Sequence, residues 1–127
     1  MTYHPRKRIL IIDDDMTMNA IVGGYLQAAG YEVHFISNPE QAITSVRVVR
    51  PHAIVLDRYL GKGDGADLLV KIRSISGFES IPVLMLTGET RKDEVKKAIS
   101  AGVNGYLAKP FAPEELLRKI EKLLKGP

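Results

Sequence analysis

The stretch RILIIDDD, Arg8 to Asp15, runs an unbroken aliphatic segment, Ile9 to Ile12, into three consecutive acids, Asp13, Asp14 and Asp15. A strand with one wet face alternates apolar and polar positions. A continuous β-branched run instead predicts a strand covered on both faces, as in a parallel sheet. A solvated surface gains little from three adjacent like charges, so the acids that end this run need a reason to be together.

Working outward, the same pattern recurs along the chain. Apolar runs at Arg8 to Ile12, Glu32 to Ile36, Ala53 to Leu56, Pro82 to Leu86 and Gly105 to Leu107 alternate with longer segments of helical periodicity. Ile21, Val22, Tyr25 and Leu26 form one helical stripe, and Leu116, Leu117, Ile120, Leu123 and Leu124 another. Asn38 before Pro39 suits a helix start, and Thr90 with Asp93 resembles a capping box. Gly30 and Gly102 suit helix ends, whereas Ala112 before Pro113 is a poor cap and predicts a frayed start to the last helix. Five β-α units of this length predict an α/β fold, a doubly wound five-stranded parallel sheet with five helices. Ligands of such sheets bind at the C-terminal strand ends.

At 127 residues the chain fits a single domain, 1–127 with a core of about 8–124, and it contains no cysteine. Disulfide frameworks, thiolate zinc sites and cysteine nucleophiles are thereby excluded, and a reducing, cytoplasmic setting is expected. The apolar run after the basic N-terminus is too short for a signal-peptide core or a membrane span. The net charge of +3 comes from scattered clusters: Arg6, Lys7 and Arg8; Arg91, Lys92, Lys96 and Lys97; Arg118, Lys119, Lys122 and Lys125. That distribution argues against direct nucleic-acid binding by this domain.

The predicted strand ends bring Asp13 and Asp14, Asp57, Thr87 and Lys109 to one rim. Acids directly after buried runs repel one another unless a cation offsets them. Clustered carboxylates without His or Cys call for a hard cation with oxygen ligands, and Mg²⁺ suits because it uses one or two carboxylates and accompanies phosphate chemistry. Asp14 and Asp57 are assigned as direct ligands and Asp13 as one acting through water. Asp15 reads as a helix-start residue.

Four segments in order, ILIIDDD, IVLDRYLGKGDG, PVLMLTGE and GYLAKPF, resemble the receiver domain of two-component response regulators over Arg8 to about Leu124. The resemblance implies a flavodoxin-like sheet of strand order 2-1-3-4-5. It implies Asp57 as phospho-acceptor, Asp13 and Asp14 as the acidic pair holding Mg²⁺, and the backbone carbonyl of Tyr59 as a further metal ligand. Thr87 and Lys109 would contact the phosphoryl group, with a cis bond between Lys109 and Pro110, and Tyr106 would be an aromatic switch residue. Implied partners are a sensor histidine kinase or phosphotransfer protein, an output domain or partner protein, and a second copy in a phosphorylation-dependent dimer. The domain would catalyse only its own phosphorylation and dephosphorylation.

The chain departs from the family at Gly61, where many receivers have proline, which predicts a looser GKGDG loop. Gly88 is the smallest option after Thr87 and predicts an accessible acceptor; Tyr59 and Glu89 flank the site. A rival reading takes Asp13, Asp15 and Thr17 as the D-x-D-x-T nucleophile motif of haloacid dehalogenase-type phosphatases. That motif is usually followed by a hairpin insertion, and the enzymes need a late acidic motif that is missing after Lys109. Gly61, Gly63 and Ala66 fit G-x-G-x-x-A, but not after the first strand, so they read as turn residues. His4, His34 and His52 fall away from the rim and read as ordinary side chains.

Overall fold

All five apolar runs form strands: β1 (Arg8–Ile12), β2 (Glu32–Ile36), β3 (Ala53–Asp57), β4 (Val83–Thr87) and β5 (Gly105–Ala108). A computed structural model describes residues 6–60, 63–88 and 92–126. The strands are parallel throughout, in the order β2-β1-β3-β4-β5. That is the expected doubly wound sheet. The third, fourth and fifth strands each extend one residue further than the apolar pattern alone marks, so that Asp57 and Thr87 are themselves the last residues of β3 and β4.

The helices are α1 (Met16–Ala28), α2 (Ala42–Val49), α3 (Gly65–Arg73), α4 (Lys92–Ser100) and α5 (Pro113–Lys125). Alternation along the strands divides the core into two layers. Leu10, Ile12, Ile54, Leu56, Val83 and Met85 pack against Val46 of α2, Leu69 and Ile72 of α3 and Ala98 of α4. On the other side Ile9, Ile11, Val55, Leu84 and Leu86 pack against Val22 and Leu26 of α1 and Leu116 and Ile120 of α5. With β1, β3 and β4 sealed on both faces, the site-bearing strands are the rigid centre of the molecule.

The stripe expected on α1 is half right. Val22 and Leu26 are buried, but Ile21 and Tyr25 are 42% and 36% exposed. The buried positions are Asn19, Val22, Gly23 and Leu26. A Cβ at Gly23 would stand 3.5 Å from Val33 and 3.8 Å from Ile11, so the helix seats itself along this line and turns its apolar flank outward. On α5 the expected stripe is the packed one, with Leu117, Leu123 and Leu124 partly buried around Leu116 and Ile120.

Most of the expected caps are present. Asn38 accepts the Glu40 N–H at 2.9 Å, ahead of a 3₁₀ turn, Pro39–Gln41, that leads into α2. Gly30 and Gly102 end their helices at φ 98° and 99°, in the left-handed region that glycine enters without a Cβ clash. Ala112 has no side-chain acceptor, but the Glu115 carboxylate reaches back to its N–H at 3.2 Å. This reciprocal half of a capping box, with Pro113 in the first turn, holds the start of α5 that Ala112 alone would leave to fray. The Thr90–Asp93 box involves Thr90, which lies outside the described residues, as do Gly61, Glu89 and His4.

The sequence pattern did not anticipate a short antiparallel hairpin, Tyr59–Leu60 against Gly63–Asp64, directly after β3. Just after it the Gly65 N–H donates to the Arg58 carbonyl at 2.6 Å.

Candidate functional site

The rim is assembled by backbone first. Asp13 follows β1 and donates its N–H to Ile36 of β2 at 3.2 Å, and Asp57 closes β3 opposite Leu86. Thr87 closes β4 opposite Ala108, and its carbonyl accepts the Lys109 N–H at 2.8 Å. Each candidate is therefore fixed by a strand end and not by loop wandering. The Lys109–Pro110 peptide bond is cis.

The side chains converge. Asp13, Asp14 and Asp57 each offer a carboxylate oxygen within 4.8 Å of the others. Lys109 Nζ lies 2.7 Å from Asp57 Oδ1 and 3.9 Å from Asp13 Oδ2. Asp13 and Asp57 are buried, as is Thr87, while Asp14 is exposed. Gly65 guards the approach from below: a Cβ there would come within 2.3 Å of the Asp57 carbonyl oxygen, so no larger residue fits beneath the acceptor. At Gly88, after Thr87, a Cβ would meet nothing within 4 Å, while Asp57 itself is 7% exposed.

The electrostatics favour a cation. Burial pushes the Asp13 carboxyl up to about 6, with the neighbouring Asp57 and Asp14 charges adding to it and the Asp15 N–H and Lys109 opposing it. Asp57 is also raised, again chiefly by burial and against the pull of Lys109. Asp13 Oδ1 accepts the Asp15 N–H at 2.9 Å, but Oδ2 is buried without a hydrogen-bond partner. An orphaned carboxylate oxygen among three acids is what a hard divalent ion would satisfy, so the donor set fits Mg²⁺.

Tyr59 is half exposed beside the site. Tyr106 sits on β5, partly buried, and packs against the core layer beneath α2, α3 and α4. Asp15 caps α1, accepting the Thr17 and Met18 N–H groups at 2.9 and 3.2 Å. The helix begins at once at Met16, with no hairpin insertion, so the phosphatase motif is occupied by capping. His34 pairs with exposed Glu32 at 2.7 Å, and His52 accepts the Arg8 N–H at 2.9 Å at the opposite end of the sheet.

Two residues next to the rim carry no motif in the sequence. Asn19, fully buried on α1, donates from Nδ2 to the Asp13 carbonyl at 2.9 Å and so ties the acidic turn to the helix. Its spacing, one turn before Val22 and Gly23, places it on the buried line. Arg58, next to Asp57, is 2% exposed and pairs with Glu94 of α4.

The family of response regulator receiver domains matches residues 9–121. The DNA-binding response regulator MtrA of Mycobacterium tuberculosis is 33% identical over 120 residues, which cover 94% of this chain and 51% of that protein. The chain thus spans about half the length of the first curated relatives it matches. The chemotaxis protein CheY1 of Helicobacter pylori is 36% identical over 121 residues, 92% of this chain and 96% of that one. Among solved structures, the receiver domain of a sensor histidine kinase from Pseudomonas aeruginosa PAO1, with a magnesium ion coordinated in its active site cleft, superposes with a TM-score of 0.87 at 28% identity, covering 96% and 100% of the two chains. With its parallel sheet of order 2-1-3-4-5 and an acidic rim at the strand ends, the chain belongs to the response regulator receiver domains of two-component signalling systems.

Proposed function

We propose that Asp57 accepts a phosphoryl group from a histidine kinase or phosphotransfer protein, and that the modified domain switches an output domain or partner protein. The observation that carries this reading is the Lys109 ammonium 2.7 Å from Asp57 Oδ1, in a rim that also holds the orphaned Asp13 Oδ2. Asp14 and Asp57 would hold Mg²⁺ directly, Asp13 through water, and the Tyr59 carbonyl would complete the protein ligands. When bound, Mg²⁺ supplies positive charge opposite the phosphoryl oxygens.

In the transfer a carboxylate oxygen of Asp57 bonds to phosphorus, and the bond from phosphorus to the donor's imidazole nitrogen or acyl oxygen breaks. The donor leaves with that electron pair. Lys109 changes partner from the bare carboxylate to the phosphoryl oxygens, whose charge of about −1.5 to −2 it offsets. Thr87, at the end of β4, donates to a phosphoryl oxygen, and the inward pull on the loop after it makes room for Tyr106. The face formed by α4, β5 and α5 is thereby remodelled, a shift that needs roughly 5 kcal/mol of differential stabilisation to be decisive. Lys92, Lys96 and Lys97 on α4 and Arg118, Lys119, Lys122 and Lys125 on α5, interspersed with Asp93, Glu94, Glu114, Glu115 and Glu121, offer cations to an acidic patch on a partner or on a second copy. A cytoplasmic location belongs to the same reading; among the described residues no helix is long and apolar enough to cross a membrane.

Incubation with acetyl phosphate and Mg²⁺ should leave a base-labile phosphate on the wild-type chain and none on Asp57→Ala. Label retained by that variant would move the acceptor elsewhere. Asp14→Ala should abolish Mg²⁺-dependent spectral shifts, and an unchanged Mg²⁺ affinity would place the ion wrongly. Repeated turnover of a phosphomonoester that dies in Asp13→Ala but survives in Asp57→Ala would favour the phosphatase reading instead.

A further inference from the structure

Arg58 is a buried cation that none of the chemistry above uses. Ile54 and Leu56 of β3 pack into the layer beneath α2, α3 and α4, and Arg58 is next in that alternating series. Its side chain therefore leaves on the face opposite to that of its neighbour Asp57 and heads for α4. There Nη2 meets Glu94 Oε2 at 2.6 Å and Asp64 Oδ2 at 3.3 Å. Asp64 Oδ2 is also 3.6 Å from Lys97 Nζ, while its Oδ1 caps α3 by accepting the Ala66 N–H at 2.8 Å. Charges alternate along the row Lys97, Asp64, Arg58, Glu94, spanning two successive turns of α4.

The rest of α4 gives it little other hold. Among the described residues the helix fully buries one side chain, Ala98, so hydrocarbon contributes little to its seating. The arginine backbone is fixed at both ends, its N–H donating to Leu86 at 2.9 Å and its carbonyl accepting from Gly65 at 2.6 Å. The base of the row thus cannot move while β3, β4 and the start of α3 stay in place. Its Nε and Nη1 are buried with no hydrogen-bond partner, so the guanidinium holds donors in reserve that could re-pair if Glu94 withdrew.

We propose that Arg58 is a latch: it clamps α4 to the sheet through Glu94 and Asp64, and so sets how readily the helix leaves its resting position when Asp57 is modified. The resting clamp stands on the geometry alone; its coupling to Asp57 rests on the function proposed above. Arg58 is a positioning residue, since its side chain lies across the sheet from the reacting carboxylate.

Amide hydrogen exchange across residues 92–100 of the unmodified protein tests the clamp. Glu94→Ala, which keeps helix propensity, should speed exchange in α4 roughly tenfold and leave α1 and α5 unchanged. In an Arg58→Met background the same substitution should add almost nothing, because the pair is already broken. Unchanged α4 exchange in Glu94→Ala, or an equal acceleration in both backgrounds, would overturn the latch. A second arm adds acetyl phosphate and Mg²⁺ and reads both exchange and the mass gained. Phosphorylation should loosen α4 in the wild type and make a smaller further difference in Glu94→Ala; an equal increment in both would sever the latch from Asp57. If no mass is gained, the function proposed for Asp57 fails, while the first arm still decides the clamp.

Discussion

Helices α4 and α5 lie on opposite faces of the same end of the sheet and are held there by different physics. α5 buries Leu116 and Ile120 completely and covers Leu117, Leu123 and Leu124 in part. α4 buries Ala98 and is otherwise tied chiefly by the pair that Glu94 makes with the buried Arg58. Hydrocarbon contact is indifferent to a new charge at Asp57, whereas a helix held by charges can respond to one. On the function proposed above, the contrast makes α5 part of the scaffold and α4 the helix freer to move.

The largest effect should come from breaking the apolar side of this comparison. Ile120→Ala removes a fully buried aliphatic side chain from the α5 layer and should cost about 2–5 kcal/mol in urea unfolding. It should also lower the unfolding midpoint of the whole domain. A loss confined to α5 exchange, with the global midpoint intact, would mean that α5 is no more part of the scaffold than α4.

Next in size is the rim itself, where charge is buried with neither hydrocarbon seating nor a full set of partners. The Asp13 carboxyl is raised from 3.8 to about 6 in the folded protein, chiefly by burial. The folded state therefore binds the proton more tightly than the unfolded state. Its contribution is fully present below pH 3.8 and is lost as the pH rises through about 6. The metal-free protein should forfeit on the order of 2–3 kcal/mol across that window through this residue. Asp13→Asn should flatten the pH dependence and raise stability at pH 7, and adding Mg²⁺ should stabilise the wild type more than the variant. A variant with the wild-type pH profile would show that Asp13 is not the strained group.

The sequence made the scaffold more legible than the moving part, for the same physical reason. β1, β3 and β4 are sealed on both faces, so burial writes itself as unbroken aliphatic runs, and the acids that end those runs stand out by contrast. Asp13, Asp14, Asp57, Thr87 and Lys109 could be placed on one rim from strand ends alone. Arg58 could not, because a single arginine after an aspartate has no period, and its burial depends on Glu94 and Asp64 arriving from elsewhere in the chain. Asn19 was hidden by its polarity on a helix whose seam runs along Gly23, and the same seam exposed Ile21 and Tyr25 against their apolar pattern. The hairpin at Tyr59 to Asp64 is held by two pairings, too few to leave an alternation.

The smallest expected effect sharpens what kind of charge pairing matters. Lys125 and Glu121 form an i,i+4 pair on α5 at 2.9 Å, close to the 2.6 Å of Arg58–Glu94, and the contact raises the lysine's proton affinity. Both partners are open to water, with side chains 73% and 61% exposed, whereas the Arg58 side chain is 3% exposed. Water and salt compete for an exposed pair and the ordering of two long side chains offsets most of the attraction. Glu121→Gln should therefore leave the urea midpoint and the exchange of α5 unchanged at low and high salt, although it deletes a contact of nearly the same length as the one that holds α4. A measurable, salt-sensitive loosening of α5 in Glu121→Gln would mean that distance rather than burial decides which pairs hold a helix, and the division between an apolar scaffold and a charge-held switch would lose its basis.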